Sequence, residues 1–186
     1  MIQILAYVII GLVVLGLLNV LVSTYNRLVM LRNNVDKSFG NIDVLLKQRA
    51  DEIPNLIKVV KESTKYEEGV LTKLTDLRTQ FLNANSVEEK IEISNELQHQ
   101  LKSVFAMAEN YPDLKANQNF QLLQTRVSQL EDAIADRREL YNESVNMYNI
   151  GIAEFPNFIL AKMMLYGRKQ LLQITEQEKK YDGIAF

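Results

Sequence analysis

The chain has 186 residues, with 21 Lys and Arg against 23 Asp and Glu, one His and no Cys. Near-neutral charge without a basic patch gives no argument for nucleic acid, whose phosphates need neutralising. The absence of cysteine excludes disulfides, thiolate catalysis and thiolate metal sites, and leaves the redox compartment undetermined. With 47% hydrophobic residues but only 7 Gly and 3 Pro, the chain should form long helices with few turns, enough for one domain with its own core.

No charged side chain precedes Arg27, and Ile4 to Val22 is apolar apart from Gly11, Gly16 and Asn19. About 19 helical residues span roughly 28 Å, close to a bilayer's hydrocarbon thickness. The preceding flank lacks a basic n-region and no small-x-small site follows, so an anchor is expected rather than a cleaved signal. A run that is apolar on every face also argues against a buried core helix. Arg27, Arg32 and Lys37 follow the span directly, which by the positive-inside rule places the bulk of the chain in the cytoplasm; Asp36 and Asp43 weigh little in that rule.

Beyond the span, Leu28, Leu31, Val35, Ile42 and Leu45 recur at helical spacing, with Phe39, Leu46 and Ile53 on a flanking stripe. Pro54 should kink this helix without ending it, because Leu56, Ile57, Val59 and Val60 resume the pattern. A reversal is expected near Ser63 to Gly69, followed by a short helix through Leu71, Leu74, Leu77 and Phe81. Ser86 with Glu89 forms a capping box for a third helix, whose stripe is Val87, Ile91, Ser94, Leu97, Leu101, Val104 and Ala108. Tyr111-Pro112-Asp113 ends it. A fourth helix from Asn117 to Ala153, about 55 Å long, places Phe120, Leu123, Val127, Leu130, Ile134, Arg137, Tyr141 and Tyr148 at a and d positions of a heptad. Pro156 breaks it.

The expected fold is therefore all-α: an N-terminal transmembrane helix, then an up-and-down four-helix bundle whose first helix is long and kinked. Residues 1–24 form the anchor, 25–167 the helical bundle domain and 168–186 a C-terminal tail. A long coiled-coil dimer is the rival architecture, and a homo-oligomer stays open. The di-metal chemistry typical of helical bundles needs two Glu-x-x-His pairs. Only Glu96-Leu97-Gln98-His99 is present, and His99 is the single histidine. No nucleophile has a recognisable base partner and no glycine-rich loop matches a phosphate cradle. No catalytic site, metal or cofactor is expected.

Local blocks then resemble the LemA family of bacterial membrane-anchored helical proteins. They run from Tyr25-Asn26-Arg27-Leu28-Val29 and Arg32-Asn33, through Ile42-Asp43-Val44, Leu46-Lys47, Arg49 and Ile53-Pro54-Asn55-Leu56, to a central signature Ala108-Glu109-Asn110-Tyr111-Pro112-Asp113-Leu114-Lys115-Ala116-Asn117. Asn119-Phe120 and Leu123-Gln124 continue it, and Glu131, Ile134-Ala135, Arg138, Tyr141-Asn142, Tyr148-Asn149 and Phe155-Pro156 close it. The resemblance implies a single-pass protein of the bacterial inner membrane with a cytoplasmic helical domain, and no enzymatic activity. The expected role is a membrane-anchored, non-catalytic scaffold or adaptor of the cell envelope with an unidentified protein partner. The alternative is an accessory or regulatory partner of a membrane protease.

Three sets of residues stand out. If Leu28 lies level with Ile152 on an antiparallel neighbour, Asp43 and Arg137 lie level too and should form an interhelical ion pair. Tyr141-Asn142 and Tyr148-Asn149 repeat at seven residues, so they form either an interaction surface or a tyrosine-lined core whose hydroxyls reach polar partners. Phe155, Phe158, Ile159, Leu160, Met163, Met164 and Leu165, with Arg168 and Lys169, should return to the headgroup region as a second membrane contact or form a short helix that caps the bundle's end.

Overall fold

A computed structural model of the chain describes residues 1–63 and 68–172. Six helices make up most of these, and no strand occurs among the described residues. They are α1 (Ile2–Ser63), α2 (Glu68–Asn83), α3 (Val87–Ala108), α4 (Pro112–Ala116), α5 (Gln118–Gly151) and α6 (Asn157–Met163). The protein is all-helical, as expected. Pro54 lies inside α1, which continues past it to Ser63. Most of the reversal expected at Ser63 to Gly69 lies outside the described residues, and Gly69 itself is helical within α2.

Local chemistry sets the helix ends. Ser86 Oγ accepts from Glu89 N at 3.1 Å while Glu89 Oε2 accepts from Asn85 N at 3.2 Å, a reciprocal cap at the start of α3. The central signature folds as a corner. α3 stops at Ala108, Pro112 opens α4 at its first turn, and Leu114 is fully buried. Asn117 then caps α5, its Oδ1 accepting from Asn119 N at 2.9 Å and Phe120 N at 3.3 Å. α5 ends at Gly151, five residues before Pro156, which opens α6 after a cis Phe155–Pro156 bond. The two short helices α4 and α6 were not among the four expected.

The chain divides into two compact units, Met1–Ser38 with Arg138–Phe186, and Phe39–Arg137. In the first, every residue from Met1 to Ser23 is exposed. This part of α1 is long and apolar enough to cross a membrane. Burial begins at Thr24 and Leu28, where α5 packs antiparallel to α1. Arg27 Nη2 meets Glu154 Oε2 at 3.0 Å, Leu31 lies against Gly151, and Ser38 Oγ bonds Ser144 Oγ at 2.9 Å. As α1 advances from Arg27 to Ser38, its partners step back from Glu154 to Ser144. Gly151 leaves room for Leu31 at this approach, since a Cβ there would press into Leu31 Cδ1 and make that side chain shift.

In the second unit, Ile42, Leu46, Ala50, Ile53, Leu56 and Val60 of α1 share a core with Leu74 and Phe81 of α2, Leu97 and Leu101 of α3, and Phe120 and Val127 of α5. Polar links tie the helices pairwise. Arg78 Nε donates to Ala50 O at 3.2 Å between α2 and α1, and Arg126 Nε meets Glu52 Oε1 at 2.6 Å between α5 and α1. Phe105 of α3 meets Phe120 of α5 edge-to-face, with ring centroids 5.9 Å apart.

Candidate functional site

The expected Asp43–Arg137 pair does not form. Asp43 instead receives Lys90 Nζ on both carboxylate oxygens at 2.8 Å, and Arg137 is exposed. The reason lies in helix periodicity. A strict heptad puts Arg137 on the seam, but a straight α-helix repeats after five turns of 3.6 residues, so the residue sharing Phe120's bearing is Arg138, eighteen positions on. Arg138 is accordingly 4% exposed, and Val145 joins Tyr141 and Tyr148 on the buried face.

The same eighteen-residue step carries Leu31's bearing to Arg49 on α1. Arg49 is 1% exposed and donates from Nη2 to the Ser94 carbonyl at 2.7 Å and to Ser94 Oγ. Ser94, the only polar residue of the α3 stripe, is fully buried. A planar guanidinium suits such a fork of acceptors in a dry core. Ser94 lies on the buried stripe that periodicity assigns to it, whereas Arg49 and Arg138 carry no role in the sequence pattern. The signal for both arginines was their bearing at 100° per residue.

In the first unit, the two Tyr-Asn pairs build a clamp. Tyr141 and Tyr148 are buried at 5% and 2% exposure. Asn149 Nδ2 donates to Lys169 O at 2.9 Å while its Oδ1 accepts from Lys169 N at 3.0 Å. Asn142 repeats the pattern on Leu172, with 2.9 Å to the carbonyl and 2.8 Å from the amide. Seven helical residues advance about 10.5 Å and three extended residues about 10 Å, so successive amide brackets match successive contacts along an antiparallel segment. Tyr148 Oη adds a bond to Gly167 O at 3.1 Å. This surface is therefore occupied by the chain's own residues 167–172, which include the first described part of the tail.

Charges and rings close the clamp. Lys169 Nζ pairs with Asp36 Oδ1 at 2.6 Å and lies 5.9 Å from the Tyr148 ring centre, and the Arg32 guanidinium sits 5.1 Å from that of Tyr166. The hydrogen bond that Arg32 donates to the Tyr166 side chain, with the electrostatic attraction between the two, holds Arg32 above the usual guanidinium range. Burial pushes the Tyr148 phenol up, so it stays protonated and able to donate.

The third set leaves most of its large apolar side chains uncovered. α6 buries Asn157 and Ala161, yet Phe158, Ile159 and Met163 are exposed, flanked by Phe155 at 80% and Leu165 at 91%. Leu160 and Met164 are half-buried, Arg168 is exposed, and Lys169 turns back to Asp36. Asn157 Nδ2 donates to Gly151 O at 3.0 Å, which ties α6 to the end of α5.

His99 is exposed, while Glu96 faces Lys73 at 3.8 Å and Gln100 at 3.2 Å. Among the described residues no group of three or more His, Asp or Glu could hold a metal ion. The main interior polar groups bond to other parts of the same chain.

These features define an all-helical protein whose longest helix opens with a stretch able to cross a bilayer and whose buried Arg49, Ser94 and Asn157 bond within the chain. The LemA family profile matches residues 38–186, and the chain belongs to the LemA family. It is 23% identical over 186 residues to magnetosome protein MamQ 2 of Paramagnetospirillum magneticum, covering 86% of this chain and 68% of that protein. It is 24% identical over 162 residues to protein LemA of Metamycoplasma hominis, covering 86% of this chain and 74% of that protein.

Proposed function

We propose that the protein is a membrane-anchored, non-catalytic scaffold or adaptor. Residues 1–24 are the anchor, residues 25–167 a cytoplasmic helical domain arranged as an up-and-down four-helix bundle at the inner membrane, and residues 168–186 a C-terminal tail. The observation that carries this reading is the continuity of α1. One helix passes without a break from the wholly exposed apolar stretch ending at Val22 into the packed stretch beginning at Thr24. A helix that leaves a bilayer this way holds its domain at the membrane surface with no flexible linker. The non-catalytic part is supported by the use of Arg49, Ser94, Asn142 and Asn149 in internal bonds.

The test has two arms on the full chain in cell membranes. Carbonate washing should leave the protein in the membrane pellet. Crosslinking in cells followed by mass spectrometry should then recover several membrane proteins or further copies of the chain. Release by carbonate overturns the anchor. Recovery of one membrane protease in stoichiometric amount replaces the scaffold by an accessory subunit.

A further inference from the structure

We infer that the exposed face of α6, with Phe155 and Leu165 on either side, inserts into the headgroup boundary of the bilayer that α1 crosses, giving the domain a second lipid contact beside its anchor. The inference rests on the anchoring reading above and adds a lipid-binding surface to it.

Three independent observations converge on this face. First, α6 leaves most of its large apolar side chains uncovered. It buries Asn157 and Ala161 and half-buries Leu160, yet Phe158, Ile159 and Met163 are exposed, more apolar surface than a helix in water usually presents. Second, its position along α1 is fixed. Glu154, next to Phe155, pairs at 3.0 Å with Arg27, the first charged residue after the span. Five helical residues from Val22 to Arg27 rise about 7.5 Å, and a bilayer's interfacial layer is about 5–8 Å deep on each side of its hydrocarbon. The loop that starts this face therefore lies at headgroup depth.

Third, Leu165 occupies a position that suits glycine. Tyr166 N bonds Ala161 O at 3.0 Å and Leu165 N bonds Lys162 O at 3.2 Å, the paired bonds of a Schellman helix end. Leu165 is the left-handed residue of that motif, at φ 55°, and is 91% exposed. A branched apolar side chain here strains the backbone and buries nothing within the chain. Both costs are offset if the side chain enters lipid. Lys162 and Arg168 are exposed on the same segment and can meet anionic headgroups.

The sequence contains no tryptophan, so single-tryptophan variants of the full chain report local depth without background. Each variant is reconstituted in vesicles of phosphatidylcholine and phosphatidylglycerol, with bromine on the phosphatidylcholine acyl chains. Phe155→Trp and Leu165→Trp should lose about half as much emission as Leu15→Trp, with shallow bromines quenching more than deep ones. Leu140→Trp, eleven residues up α5 from Gly151 and 46% exposed, should lose little. Adding Leu165→Gly to Phe155→Trp should weaken the quenching while the thermal midpoint holds or rises. A purely structural role for Leu165 predicts the opposite shift in midpoint.

Quenching of Phe155→Trp and Leu165→Trp no greater than that of Leu140→Trp, with Leu15→Trp strongly quenched, overturns the lipid contact and leaves the anchor standing. A concentration-dependent blue shift without bromine quenching also overturns it, in favour of a second copy of the chain on this face. Absence of quenching for Leu15→Trp overturns the anchor itself.

Discussion

Arg49 and Leu165 pull stability in opposite directions. Arg49 is a charge held in a core, where desolvation is repaid only if its hydrogen bonds are well made. Replacing it by Ala removes charge-assisted bonds to Ser94 and leaves a cavity, so Arg49→Ala should cost about 2–4 kcal/mol. Leu165→Gly relieves a left-handed leucine and gives up no internal packing, so it should stabilise by about 1 kcal/mol. Thermal unfolding of the detergent-solubilised chain, followed by circular dichroism, should show the two midpoints moving in opposite senses. Equal lowering of both would show that Leu165 is needed for the fold. At this scale most apolar residues of the stripes were legible in the sequence, since hydrophobicity and periodicity agree. The arginines were not, because a repeat of 3.5 residues per turn and a helix of 3.6 diverge by about half a position over eighteen, which moves the seam from Arg137 toward Arg138.

Among the elements, long helices and their caps announce themselves through Ser86, Glu89 and the stripes of α1, α3 and α5. The short helices are less legible: nothing marked α4, and α6 was one of two readings of its segment, because they span only 5 and 7 residues and hold together through neighbours such as Leu114 and Asn157. The clamp was half legible: the seven-residue repeat of Tyr-Asn showed that the pairs share a face, whereas nothing local indicated that residues 167–172 would cover it. Each asparagine replaces two hydrogen bonds that the segment's backbone would otherwise make to water, at roughly 1 kcal/mol net per bond. Asn142→Ala should free the segment near Leu172, and Asn149→Ala should free it near Lys169. Trypsin cleavage after Arg168 and Lys169 should accelerate about tenfold or more in Asn149→Ala, and further in the double variant. Cleavage at the parental rate in both would mean that Tyr148, Asp36 and Lys169 hold the segment without the asparagines.

For the molecule as a whole, the proposed cytoplasmic orientation rests on the charges that follow the apolar stretch. No charged side chain occurs from Met1 to Asn26, and Arg27, Arg32 and Lys37 come directly after the span. Ion pairing takes part of this excess. Arg27 is engaged by Glu154, but only at the exposed surface, where side-chain exposure is 55% and 41% and the pair is screened. The rule counts Lys and Arg near the span and gives acidic partners little weight, so the bias survives the pairing. The absence of cysteine makes this measurable, because a single introduced thiol is the only reactive one. Lys61→Cys, at an exposed position near the end of α1, should resist a membrane-impermeant maleimide in intact bacterial spheroplasts and label fully once the membrane is opened. Ile2→Cys, at the other end of the same helix, should label in intact spheroplasts. Reversal of the two patterns would place the helical domain outside the cytoplasm, and labelling of both without opening the membrane would mean that α1 does not cross it.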